Sequence, residues 1–352
     1  MQTKKLHIGF SIFLLVLLAP LSLLAADYYA APTASGTGDC SSPADACDFQ
    51  IALDTAAGNG EDDTIHLAAG SYDASTATFT YQPKDPENYA LTLEGTGTDN
   101  TVLDGGGTNQ NLNIETSDLF YDSNSHISIK GMTFRNGNAY IGAVSNRGGG
   151  VHVRTDSANI TLKDSKFSEN SAYWEGGGVD VYTVNGTVSL TNNIFSGNSA
   201  YFYGGGTSSY SQNGSVIFTD NTFKENSIED YGGGAKVFSY RGMVTITNNS
   251  FSGNSANIHG GGVEVSSTIG TINLTNNTFT ENFARYYGGG AHIYLYSEGT
   301  VTLTNNTFSR NYTDGEGGGT YIVLIDNNST ANIYSNIVWN NTAVQYGSDI
   351  SL

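Results

Sequence analysis

The sequence predicts an all-β solenoid in which each repeat winds once around a common axis and stacks in parallel register on the next. Three observations lead there. A tri-glycine starts at Gly148, Gly176, Gly204, Gly232, Gly260, Gly288 and Gly317, at steps of 28 residues and finally 29. Phe167, Phe195, Phe223, Phe251, Phe279 and Phe308 keep the same step, each followed three residues later by an asparagine, from Asn170 to Asn311. Short runs of alternating apolar and polar residues lie between these markers. Independent markers sharing one period through six copies are the signature of a repeat architecture.

Each unit contains three such runs. One follows the glycines (Val179-Asp180-Val181, Val263-Glu264-Val265), a second follows a turn glycine (Val188-Ser189-Leu190, Ile272-Asn273-Leu274), and the third surrounds the phenylalanine. Period-two alternation means strand. Helix is excluded within the unit because Gly-Gly-Gly and Asn-Asn recur where strong helix formers would be needed. Three strands leave about ten residues for corners, too few for an antiparallel four-stranded blade. One turn of a coil fits, with three parallel sheets and a stacking step of about 4.8 Å. Like residues then form columns. Ser165, Asn193, Asn221, Asn249, Asn277, Asn306 and Asn336 are expected to make an amide ladder at one corner, where stacked side chains satisfy polar groups shielded from water. The phenylalanines form an inner stack, and the glycines permit a corner that a Cβ would obstruct.

From the amino end, residues 1–26 read as a secretory signal peptide: Lys4 and Lys5, an apolar run from Phe10 to Leu24 broken by Pro20, and the small pair Ala25-Ala26. The run is short for a membrane span of about 20 residues, and no later segment approaches that length. The chain is therefore expected to be exported, to the periplasm, cell surface or medium. Cys40 and Cys47, the only cysteines, are expected to form a disulfide, with metal binding by two thiolates the weaker alternative. Residues 27–90 are expected to hold an N-terminal cap and the first irregular coils. Phe49, Leu53 and Ala56 share one helical face, which predicts a short helix over residues 49–57 that plugs the exposed end of the stack. Residues 74–89, with Pro83 and Pro86, read as a loop or lateral excursion, and Glu61-Asp62-Asp63 as a solvated turn rather than a calcium loop. The solenoid itself is expected over residues 91–352, regular from about 148. Its far end shows no capping helix, so an irregular last coil, docking on a partner, or further chain are the three readings there.

Composition restricts function. The chain has 14 Lys and Arg against 33 Asp and Glu, a net charge of −19, and so no electrostatic footprint for nucleic acid. Loss of the leader removes Lys4 and Lys5 and deepens the imbalance. With 44 Gly, 22 Tyr and only 13% charged residues, the composition is that of a patterned repeat rather than of a disordered chain.

The alternation of Gly-Gly-Gly-apolar with Phe-x-x-Asn resembles the right-handed parallel β-helix repeats of the pectin-lyase-like superfamily, especially the polymorphic outer-membrane-protein type. The resemblance covers roughly residues 91–350 and agrees with the right-handed crossover rule. The last hundred residues still read as coils, unlike the membrane barrel of that type, which puts outer-membrane anchoring in doubt.

Enzymes of that superfamily often act along a side groove, which directs attention to the outward column His152, Asp180, Ser208, Lys236, Glu264, His292 and Tyr321. These read first as ordinary solvent-facing residues. Asp180 and Glu264, three coils apart, lie about 14 Å apart at one strand spacing per coil, too far for a glycosidase pair at about 5–9.5 Å. Aromatic residues are the better binding candidates: Tyr182, Tyr210, Phe238 and Tyr294 along one strand position, and Tyr173, Trp174, Tyr201 and Tyr203 at the corner before the glycines. Rings with a polar tip suit the flat faces of sugars, although such ladders also stabilise stacked coils. The histidines show no metal-ligand spacing, and no metal or cofactor is expected. The favoured reading is an exported protein presenting a rigid face to a polysaccharide or a cell-surface protein, in the manner of an adhesin. The alternative is a polysaccharide lyase or glycoside hydrolase working in the side groove. Acids converging with Arg or Lys within about 10 Å in a concave groove would favour the enzyme.

Overall fold

A computed structural model describes residues 25–83, 89–116, 126–140 and 144–352. Apart from Ala25 and Ala26, the predicted leader lies outside the described residues, as does Pro86. The chain forms a parallel β-solenoid of about 10 turns. Strands Val179–Thr183, Val188–Thr191 and Ile194–Ser196 make up one coil, and every strand pairs in parallel with its counterpart one repeat away. The three expected sheets carry 12, 10 and 10 strands. A fourth, narrow ladder of eight strands joins them, made of two-residue pieces such as Ser171–Ala172 and Ser199–Ala200. Its core column is mostly alanine (Ala139, Ala172, Ala200, Ala256), a side chain small enough to bring this corner close to the neighbouring walls.

The alternation does what the period requires: in Val188–Thr191, Val188 and Leu190 are buried and the residues after them are half-exposed. The phenylalanines stack down the axis. Rings from Phe134 to Phe308 sit 4.6–5.2 Å apart and within 11° of parallel, all fully buried. Each contributes roughly 1.5–3 kcal/mol by leaving water.

The predicted asparagine ladder is present. Asn221 donates from Nδ2 to the Leu190 carbonyl at 2.8 Å and to Asn249 Oδ1 at 3.0 Å, while its own Oδ1 accepts from the Asn193 amide at 3.0 Å. A second ladder runs down the Phe-x-x-Asn asparagines: Asn226 repeats the pattern with Phe195, Asn254 and Asn198. Both corners thereby saturate backbone groups that no water reaches.

The tri-glycine corner is sterically obligatory. The first glycine is left-handed, as at Gly176 with φ +61°, and a Cβ on Gly177 would lie 2.4 Å from the Gly205 carbonyl of the next coil.

At the N-terminal end, the helix Phe49–Ala56 buries Phe49, Ala52, Leu53 and Ala56 over the first coil. Cys40 and Cys47 form the expected disulfide, both buried, and Cys47–Asp48 is the outermost strand, paired with Ala30 and Ala31. Two local expectations need correction. Phe79–Tyr81, read as part of a loop, is a strand paired with Leu112–Glu115, because Phe79 finds the capping ring of Phe49 at 4.9 Å. Asp63, read as part of a solvated turn, is buried and opens the strand Asp63–Leu67, where its carboxylate accepts a hydrogen bond from Asn59.

Candidate functional site: a lateral aromatic cleft

Three columns build a cleft on one side of the solenoid. The floor is the outward column in the predicted register, Ser208, Lys236, Glu264, His292 and Tyr321, each paired with the next. Two positions further along the same strands stand Tyr210, Phe238, Ser266 and Tyr294, which form one wall. The opposite wall comes from the corner before the glycines, where Glu175, Tyr203, Tyr231, His259 and Tyr287 follow one another on successive coils. The left-handed glycine reverses the chain so that this corner residue faces the floor residue five positions later, as with Glu175 and Asp180 or His259 and Glu264. These residues enclose about 630 Å³, a volume within the usual range for small-ligand sites.

The floor is therefore not the solvent-facing surface that alternation alone implied. His152, Asp180, Ser208, Glu264 and His292 are all at most 6% exposed; from Asp180 onward the corner side chains, Glu175 and then the rings, lean over them. Their polar atoms pair along the column. His152 Nδ1 lies 2.8 Å from an Asp180 carboxylate oxygen, and Lys236 Nζ donates to Glu264 Oε1 at 2.5 Å and to Ser266 Oγ at 2.9 Å. Ser266 takes the place of a ring in the far wall, and the lysine head fills that gap. Glu264 Oε2 and His292 Nδ1 are buried without a hydrogen-bond partner.

Electrostatics diverge along the floor. Burial, reinforced by the Asp180 carboxylate, pushes Glu175 up to about 7 despite Arg147 at 2.8 Å. Burial lowers His259 to about 4, helped by the neighbouring His292. Burial and the Lys236 charge lower His292 to about 3, so both imidazoles are neutral at pH 7. Burial opposes protonation of His152, but hydrogen bonds to and charges on Asp180 and Glu115 outweigh it and raise its pKa. Tyr203 and Tyr231 are raised by burial and by nearby carboxylates.

Of the residues singled out from sequence, Tyr203, Tyr210, Phe238 and Tyr294 line the cleft. Tyr182 stacks on Tyr210 at 4.7 Å but lines a second depression with His152, Arg147, Arg154 and Glu115. Tyr173, Trp174 and Tyr201 do not join the cleft. They form a separate ring cluster with Phe202 on the outer corner, where Trp174 and Tyr201 are exposed. Sequence reasoning missed Glu175 and His259. The offset of five residues across each tri-glycine was the signal that could have found them.

A parallel β-solenoid with a lateral cleft defines the class, and the family follows from the sequence. The chain belongs to the family described as the right handed beta helix region, whose model matches residues 87–279 and 228–351. No curated protein sequence matches it. Solved structures similar to it include a pectate lyase (TM-score 0.49, 13% identity, covering 90% of this chain and 80% of that one). Another is the A-module of a mannuronan C-5 epimerase from Azotobacter vinelandii (TM-score 0.44, 14% identity, 86% and 94% covered). A third is a mannuronic acid specific polysaccharide family 6 lyase from human gut microbiota (TM-score 0.36, 11% identity, 88% and 83% covered).

Proposed function

We propose that the protein is an exported carbohydrate-active enzyme that binds a polysaccharide along the lateral cleft and cleaves its glycosidic linkages there. The observation that carries this reading is the convergence of an acid and a lysine, Glu264 and Lys236, on the floor of a concave groove between two aromatic walls. Burying two charges costs desolvation that their pairing offsets only in part, a cost that a surface serving adhesion alone has no need to carry. The walls supply ring faces for sugar rings, and a chain lying along the axis would cross several coils, most of them offering a ring.

Cleavage by hydrolysis and cleavage by elimination both require a proton for the departing glycosidic oxygen. Glu175, at one end of the cleft and raised to about 7, is protonated in about half of the molecules at neutral pH, which suits a general acid. The buried disulfide fits an oxidising compartment, in keeping with the leader read in residues 1–26. The test is incubation of the purified chain with a panel of neutral and uronate polysaccharides, reading both new reducing ends and ultraviolet-absorbing unsaturated ends. Product from wild type, with a loss of at least about 100-fold in Glu175→Gln, supports the proposal. Product undiminished in Glu175→Gln overturns the assignment of the acid.

The exposed cluster of Tyr173, Trp174, Tyr201 and Phe202 supports a second reading, in which the outer corner binds a glycan or a surface protein without chemistry. Glycan-array binding that persists in Glu175→Gln but is lost in Trp174→Ala, with no product from any substrate, is the outcome that reading requires.

A further inference from the structure

At the middle of the cleft, three groups approach one another that no hydrogen-bond network explains. Ligand atoms of His259, Glu264 and His292 lie within 4.8 Å of one another, the one such group of three among the described residues. His292 and Glu264 sit on adjacent floor positions, with His292 Nδ1 4.0 Å from Glu264 Oε1. His259 reaches in from the corner wall, its ring 4.6 Å from that of His292. Lys236 accounts for Glu264 Oε1 but leaves Oε2 unpartnered, and His292 Nδ1 is likewise buried and unpartnered. A buried polar atom without a partner costs about 1–3 kcal/mol, and here two of them border the same space.

We propose that His259, Glu264 and His292 bind a single transition-metal ion, with Zn²⁺ the best match to the donor set. Two imidazoles and one carboxylate suit zinc and its neighbours. Calcium requires six to eight oxygens, and this cluster offers two. The ion takes Glu264 through Oε2, so that Lys236 keeps Oε1 and holds the carboxylate in place. Zinc bonds of about 2.0–2.2 Å require the three ligands to draw together by roughly 1 Å. His259, half-buried on the corner, makes most of that adjustment, and rotation of the Glu264 and His292 side chains on the floor makes the rest. Three protein ligands leave a fourth position, which faces the cleft and admits a water or an oxygen of a bound molecule, as open zinc sites do. The site stands on its own residues. Only its use as an electrophile beside a sugar rests on the reading of the cleft given above.

The test is metal binding rather than turnover. The purified chain, stripped with a chelator at neutral pH, is titrated with zinc chloride by calorimetry and with cobalt chloride by visible absorbance. One equivalent of zinc is expected, with cobalt bands of low-coordinate nitrogen–oxygen ligation. His259→Gln and Glu264→Gln are each expected to weaken binding by more than about 100-fold, and His126→Gln, on a separate coil, to leave it unchanged. His259→Gln replaces the most accessible ligand, so it reports even if floor variants fail to fold. Absence of zinc binding by the wild-type chain, or binding that survives His259→Gln unchanged, overturns the assignment whether or not the protein cleaves polysaccharide.

Discussion

Replacing Asn226 by alanine removes four hydrogen bonds at a position that no water reaches. Its Nδ2 donates to the Phe195 carbonyl and to Asn254 Oδ1, each at 3.0 Å, and its Oδ1 accepts from the Asn198 amide at 3.0 Å and from Asn198 Nδ2 at 2.9 Å. Asn198 Nδ2 keeps its bond to Phe167, but the Asn198 backbone amide is left without a partner. At about 1 kcal/mol net per bond the loss is about 4 kcal/mol, and the orphaned amide keeps it from being smaller. The ladder joins three coils, so the loss falls on the interfaces to both sides, where nearest-neighbour terms carry the stability of a repeat stack. Urea unfolding followed by circular dichroism should show the midpoint falling by roughly 1 M or more. The matched control is Asn257→Ala, which removes an exposed bond to Glu229 and should change stability by about 0.5 kcal/mol or less. Equal shifts for the two variants would refute the claim that buried amide ladders hold the coils in register.

Further outcomes follow from the same geometry. Gly205→Ala places a Cβ 2.4 Å from the carbonyls of Gly233 and Ser227, both backbone atoms, and should cost about 1–3 kcal/mol or prevent folding. His152 has a folded pKa raised above its unfolded value of about 6.5. Its contribution is complete below that pH and is lost as pH rises through the higher folded value, so the wild-type advantage in Tm over His152→Gln should shrink from pH 6 to pH 9. An advantage that grows over that range contradicts the pairing with Asp180. The proposed cleavage of polysaccharide should decline on the alkaline side of about pH 7 as Glu175 loses its proton, which a pH profile of kcat/KM measures. Reducing Cys40–Cys47, which closes a loop of sequence separation 7, should cost about 2 kcal/mol, with the added hydrogen exchange confined to the first coil and its helix.

The solenoid was legible because its period is imposed by geometry. Stacking at one strand spacing forces like residues into columns, so Phe195, Phe223 and Phe251 had to recur in step, and their rings do stack at 4.6–4.8 Å. The capping helix was legible from the single face shared by Phe49, Leu53 and Ala56. The fourth ladder was not, because a two-residue strand such as Ser199–Ala200 is too short to show alternation. The floor column was placed correctly in register, yet its burial was missed. Period-two alternation tells which side of a strand faces the core, and it carries no information about a corner that folds over the outer side. That information lies in the left-handed glycine at Gly260, which turns His259 back over Glu264. Tyr173 and Trp174 fall outside the cleft for the same reason. They lie two and one positions before Glu175, and the corner turns them away from the floor.

The cleft as the place where a glycan lies is tested most directly by a crystal structure of the chain soaked with an oligosaccharide it binds in solution. Electron density for the sugar between Tyr203, Tyr231 and Tyr287 on one wall and Tyr210, Phe238 and Tyr294 on the other is the predicted result. Density for the sugar at the outer corner around Trp174, with the cleft holding only solvent, would contradict it.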